Sequence, residues 1–142
     1  MPNQAQFYGT FRDYSTDVWD TVTERMKEIW NGIAASMNCT VDIEIIDYFP
    51  ATVNHPENAQ AVRQAASRAL GPESIVTQNP SLGGEDFSFY LLNRPGAFFF
   101  IGTGYKHMIW HEINYNYNDE VTPIAVKVYA AIIQDRMGFK FS

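Results

Sequence analysis

The chain has 142 residues, with 10 basic and 16 acidic side chains, a formal charge of −6 and a pI near 4.9. A polyphosphate backbone demands a clustered excess of Lys and Arg, which no stretch of this sequence provides, so a nucleic-acid partner is disfavoured. With 46% hydrophobic and 18% charged residues, there is enough apolar surface to offset the entropy of ordering, which argues against intrinsic disorder. The length suits one domain or pieces of two, since compact domains usually run roughly 100 to 150 residues.

Cys39 is the sole cysteine, which excludes an intrachain disulfide and a cysteine-rich zinc cage and permits a reducing, cytoplasmic address. The longest apolar runs, residues 97–101 and 128–133, are far shorter than the roughly 20 residues that cross a bilayer. No membrane partner is expected. The N-terminus carries neither a basic patch nor an apolar stretch of signal-peptide length and leads directly into a strand pattern. Such an abrupt beginning raises the expectation that part of the protein precedes it.

Residues 5–12 alternate small or apolar with polar groups and carry aromatic and Thr side chains, which predicts a half-buried strand. From Ser15 the period changes. Val18, Val22, Met26, Ile29, Ile33 and Met37 form one stripe of an amphipathic helix, capped by Ser15 and stopped by a left-handed Asn38. Val41, Ile43 and Ile45 then alternate with Asp42 and Glu44, which predicts a strand to about Tyr48. Pro50 ends it, and Pro56 suits the first turn of a helix running to about Leu70, with Ala59, Val62, Ala66 and Ala69 inward and Gly71-Pro72 closing it. A domain boundary near residues 50–55 follows.

Residues 74–77 are a short strand candidate, and residues 79–84 form a glycine-bearing loop that enters a helix at residues 85–92. The run 97–101 has no polar alternation, as expected of a strand covered on both faces in a parallel sheet. Residues 119–137 read as a closing helix with Val121, Ile124, Val128 and Ile132 on one stripe and Pro123 in its first turn.

Three histidines are the scarcest informative residues: His55, His107 and His111. The last two form an H-x-x-x-H pair, but their surroundings are rich in glycine, asparagine and aromatics, a loop composition. Carboxylate pairs at Glu85-Asp86 and Asp119-Glu120 each open a predicted helix and suit its free amides and dipole. Gly83-Gly84, just ahead, could let bare backbone approach a ligand. Neither a nucleophile elbow nor a Walker loop occurs.

The run from Gly83 to Leu91 (GGEDFSFYL), the run from Pro95 to Gly102 (PGAFFFIG), and His111 followed by Asn118-Asp119-Glu120 and Pro123 closely resemble the C-terminal region of the metal-dependent amidohydrolases. That family includes hippurate hydrolase, N-acyl-amino-acid deacylases and auxin-conjugate hydrolases. Gly9-Thr10-Phe11-Arg12 and Pro50-Ala51-Thr52-Val53-Asn54 resemble its lid motifs, in the right order.

The resemblance implies a two-domain enzyme. Residues 1–52 would be the second half of an inserted, α+β, ferredoxin-like lid that forms a homodimer. Residues 53–142 would be the C-terminal part of an α/β catalytic domain with a mostly parallel sheet flanked by helices. The complete site would hold two divalent ions, zinc or manganese, and a glutamate-activated water would attack the amide of an N-acyl amino acid. Residue by residue, His111 matches the family's last metal ligand, and Arg12 matches a lid arginine that clamps the substrate carboxylate. Asn54, Gly83 and Gly84 match positions lining the substrate cleft, while His55 and His107 match no ligand position. The family's other ligands and its general base have no counterpart here and are expected upstream, so the chain alone is predicted to be inactive. The rival reading is a non-catalytic dimerisation or binding module, or a truncated gene product.

Overall fold

The computed structural model describes residues 3–46, 49–104 and 111–139. Four α-helices carry its regular structure: α1 (Thr16–Ser36), α2 (Pro56–Leu70), α3 (Phe87–Asn93) and α4 (Thr122–Met137). Single 3₁₀ turns follow α2 at Pro72–Ser74 and precede α4 at Asp119–Val121. The chain falls into two compact units, Met1–Thr52 with Pro80–Tyr90, and Val53–Asn79 with Leu91–Ser142.

The helix boundaries follow from local chemistry. Ser15, in an extended conformation, accepts the Val18 amide on its Oγ at 3.4 Å and starts α1, and Asn38 ends it in the left-handed region at φ 53°. Pro56 sits in the first turn of α2, where a missing N–H costs nothing, and Gly71 at φ 95° closes it. Pro123 occupies the first turn of α4 in the same way, and Gly138 at φ 70° supplies its left-handed cap.

The expected sheet is absent. Among the described residues no strand forms, neither in a parallel catalytic sheet nor in a ferredoxin-like α+β lid, so the α/β expectation is corrected to a helical chain with long irregular connections. The physical reason is that alternation says which face a strand would bury but supplies no partner, and a strand exists only through its ladder. The side chains of the first two expected strands stay largely in solvent: Phe7 is 92% exposed and Val41 and Ile46 are exposed, while Ile43 and Ile45 are half-buried. The far end of the 41–48 pattern, Asp47 and Tyr48, lies outside the described residues, as does His107.

In the unit containing α2 and α4, these two helices pack on each other. Ala65 and Ala66 on α2 and Val128 on α4 are buried, joined by Val121 and Leu91. Alanines at the α2 contact leave room for a second helix to approach, and Phe99 lies against Tyr129 of α4 with ring centroids 5.4 Å apart. In the other unit, Phe11 stacks on Trp19 of α1 at 4.5 Å, and Thr23 is buried with its hydroxyl donating to the Asp20 carbonyl. Most of the apolar stripe of α1 nevertheless faces solvent: Val18, Ile29, Ile33 and Met37 are all exposed.

Candidate functional site

His111 lies in the connection leading to α4 and is exposed, with its backbone in the left-handed region at φ 67°. That region is sterically costly for a side chain with a Cβ, on the order of 1–2 kcal/mol. Besides Asn38, which stops α1, it is the residue other than glycine that adopts this geometry among the described residues. Immediately after it the chain turns, the Tyr115 amide donating to the Glu112 carbonyl at 2.9 Å. The Tyr117 hydroxyl then lies 3.5 Å from Thr122 Oγ1. Asn118 accepts the Glu120 amide on Oδ1 at 3.1 Å, which starts the 3₁₀ turn, and donates from Nδ2 to the Thr103 carbonyl at 3.1 Å.

A second set of bonds holds the run that ends at Thr103. The Asn54 carboxamide pairs with both backbone polar groups of Phe98, accepting its N–H at 2.7 Å and donating to its C=O at 2.8 Å. His55 adds a parallel pair to Gly96, donating its amide to the Gly96 carbonyl at 3.1 Å and accepting the Gly96 amide on Nδ1 at 3.2 Å. The four bonds do for residues 96–98 what a neighbouring strand would do. Sequence reading missed this role for His55; the one available signal was an Asn-His dipeptide directly before the helix-starting Pro56.

Arg12 is exposed, and its Nη1 donates to Thr10 Oγ1 at 3.4 Å, a long contact that leaves the fork of the guanidinium open to other acceptors. Gly83 donates its amide to Ser81 Oγ at 3.2 Å. A Cβ on Gly84 would come within 3.1 Å of the Phe49 ring in its own unit, so a larger residue there requires that ring to give by a few tenths of an ångström. Arg12, Gly83 and Gly84 belong to one unit, and Asn54 and His111 to the other.

A hydrolytic metal centre typically takes three protein ligands and keeps one position open. Among the described residues no three His, Cys, Asp or Glu side chains gather closely enough to hold an ion, so the donor set present does not fit a complete centre. His111 offers one imidazole. A separate open cleft of about 420 Å³ lies along α2 and α4, floored by Ala69, Ala130 and Ala131 and rimmed by Arg68, Lys127 and Asp135. No described helix is long and apolar enough to cross a membrane.

Comparison with known proteins finds hydrolases. The chain is 29% identical to the putative amidohydrolase YhaA of Bacillus subtilis (strain 168), over 92% of this chain and 34% of that protein. It is 30% identical to the N-acetylcysteine deacetylase of the same bacterium, over 93% of this chain and 34% of the deacetylase. It is 29% identical to the IAA-amino acid hydrolase ILR1-like 4 of Arabidopsis thaliana, over 93% of this chain and 32% of that one. The family model of peptidase family M20/M25/M40 matches residues 7–135. The chain belongs to that family, as its motifs led us to expect. It spans about a third of the length of these relatives. No solved structure matches it.

Proposed function

We propose that this chain is the C-terminal portion of a metal-dependent amidohydrolase that cleaves the amide bond of N-acyl amino acids or similar conjugates, and that the 142-residue chain is inactive by itself. The observation that carries the reading is His111 held exposed at φ 67°; the motif resemblance is what assigns it the role of the last metal ligand. Strain in a non-glycine backbone persists where the surroundings over-determine it, and such residues cluster at functional sites. An imidazole can ligate zinc or manganese, and a complete site would hold two such ions, the remaining donors and the general base coming from polypeptide that this chain does not supply.

In this reading Arg12 meets the free carboxylate of the substrate with its two-pronged donor geometry. The resemblance assigns Gly83, Gly84 and Asn54 to positions that line the substrate cleft of the complete enzyme. The relatives' printed names, an N-acetylcysteine deacetylase and an IAA-amino acid hydrolase, support an N-acyl amino acid as the substrate class. The cytoplasmic address belongs to the same proposal. A second reading, a dimerisation module without chemistry, is favoured by the exposed stripe Ile29, Ile33 and Met37 of α1, and in the first reading that face is the homodimer contact.

The test is a chimera in which this chain replaces the matching third of the N-acetylcysteine deacetylase. Release of cysteine from N-acetylcysteine is expected, with a loss of at least about a hundredfold in His111→Asn, which keeps the left-handed preference and removes the imidazole. An active His111→Asn chimera, or turnover by the isolated chain with zinc or manganese, would overturn the proposal.

A further inference from the structure

We infer that Asn118 is a positioning residue for His111: its carboxamide ties the connection carrying His111 back to Thr103, beyond its ordinary task of starting a helical turn. The inference rests on the reading of His111 given above. The two halves of the carboxamide face different tasks. Oδ1 accepts the Glu120 amide at 3.1 Å, a cap that an Asp or Ser would provide as well. Nδ2 donates to the Thr103 carbonyl at 3.1 Å, a bond between residues 15 apart in sequence that capping does not require.

The tie joins the connection that carries His111 to Thr103. The Thr103 end is held independently, because residues 96–98, a few positions before it, are clamped by Asn54 and His55. Between His111 and Asn118 the Glu112–Tyr115 turn bond is the local constraint, and Tyr117 meets Thr122 at the start of α4. Holding a histidine in the left-handed region needs surroundings that over-determine it. Asn118, half-buried while its neighbours on both sides are exposed, supplies the long-range part of that constraint.

Two variants of the full chain separate tie from cap. Asn118→Asp keeps the acceptor for Glu120 and sets a carboxylate oxygen against the Thr103 carbonyl. Asn118→Ser keeps a capping hydroxyl and leaves the carbonyl unpaired without repulsion. In both, the Tyr115 amide should exchange at least about tenfold faster and the His111 ring resonances should shift, while the amides around Val128 and the urea midpoint hold. Unchanged Tyr115 exchange and unshifted His111 resonances would overturn the inference. So would a parallel loss of protection throughout α4, since that marks a cap and nothing more. Both readouts are taken without metal or substrate, so the fate of the amidohydrolase proposal, decided by the chimera, is read separately.

Discussion

Helices α1 and α4 carry the same kind of message in sequence, a regular stripe of Val, Ile and Met, and they meet different fates. On α4 the stripe residue Val128 is 3% exposed in a helix that packs on α2, although Ile124, one turn earlier on that stripe, is exposed. On α1 the stripe residue Ile33 is 58% exposed, and Met37 is 70% exposed. Periodicity therefore states a demand for burial, and only a partner element meets it. Helix α1 is secured at its start by a Ser15 cap and a Phe11–Trp19 stack, which fix where the helix begins without covering its apolar side.

The sharpest way to break this comparison is to place the same charge on both stripes. Val128→Asp would bury an unpaired carboxylate between α2 and α4, and a loss of about 3 kcal/mol or more is expected. Ile33→Asp sets its carboxylate in water and should stay within about 0.5 kcal/mol, the range of ordinary surface substitutions. Urea titrations followed by far-UV circular dichroism decide it. If the two variants lose stability equally, α1 is covered in solution by something the isolated fold does not contain, and the contrast between the helices dissolves.

The helices were legible because their punctuation is local: Ser15, Pro56, Gly71 and Pro123 stand at or within a few residues of the ends they control. The strands were misread for the complementary reason. Whether residues 41–46 pair is decided by what lies beside them, and a run of alternating residues contains no information about that neighbour. The candidate site divides along the same line. His111 was found by a motif, yet its left-handed backbone and the Asn118–Thr103 bond depend on a contact that no spacing rule reaches. Asn54 was picked out as a cleft residue, while its use as a clamp depends on Phe98, 44 positions away.

That clamp is a sequence-distant bond with a predictable cost. Asn54→Asp preserves shape and the acceptor for the Phe98 amide, but replaces the donor to the Phe98 carbonyl with a like-signed oxygen. Because the pair is exposed, water rescues part of the loss, and about 1–2 kcal/mol is expected. Hydrogen exchange should localise it, with residues 96–98 losing protection before α2 and α4. Uniform loss over both helices would mean instead that the clamp is integral to the helix pair.

The smallest effect is expected from the most conspicuous charged contact. Arg68, in the last turn of α2, pairs with Asp135 near the end of α4 across the best-packed part of the molecule. Position alone suggests a strong bond, but the side chains are 55% and 43% exposed, so water screens both charges. Exposed pairs of this kind contribute about 0–1 kcal/mol, and the ordering of two flexible side chains opposes part of the attraction. Arg68→Ala alone would mislead, since the cation also interacts favourably with the C-terminal end of the α2 dipole. A double-mutant cycle with Asp135→Ala removes that contribution and should leave a coupling of about 0.5 kcal/mol, fading as salt approaches about 1 M. A salt-insensitive coupling above about 2 kcal/mol would mean that α2 and α4 close over the pair in solution. The contrast with α1 would then rest on a desolvated ion pair as well as on the packing of α2 against α4.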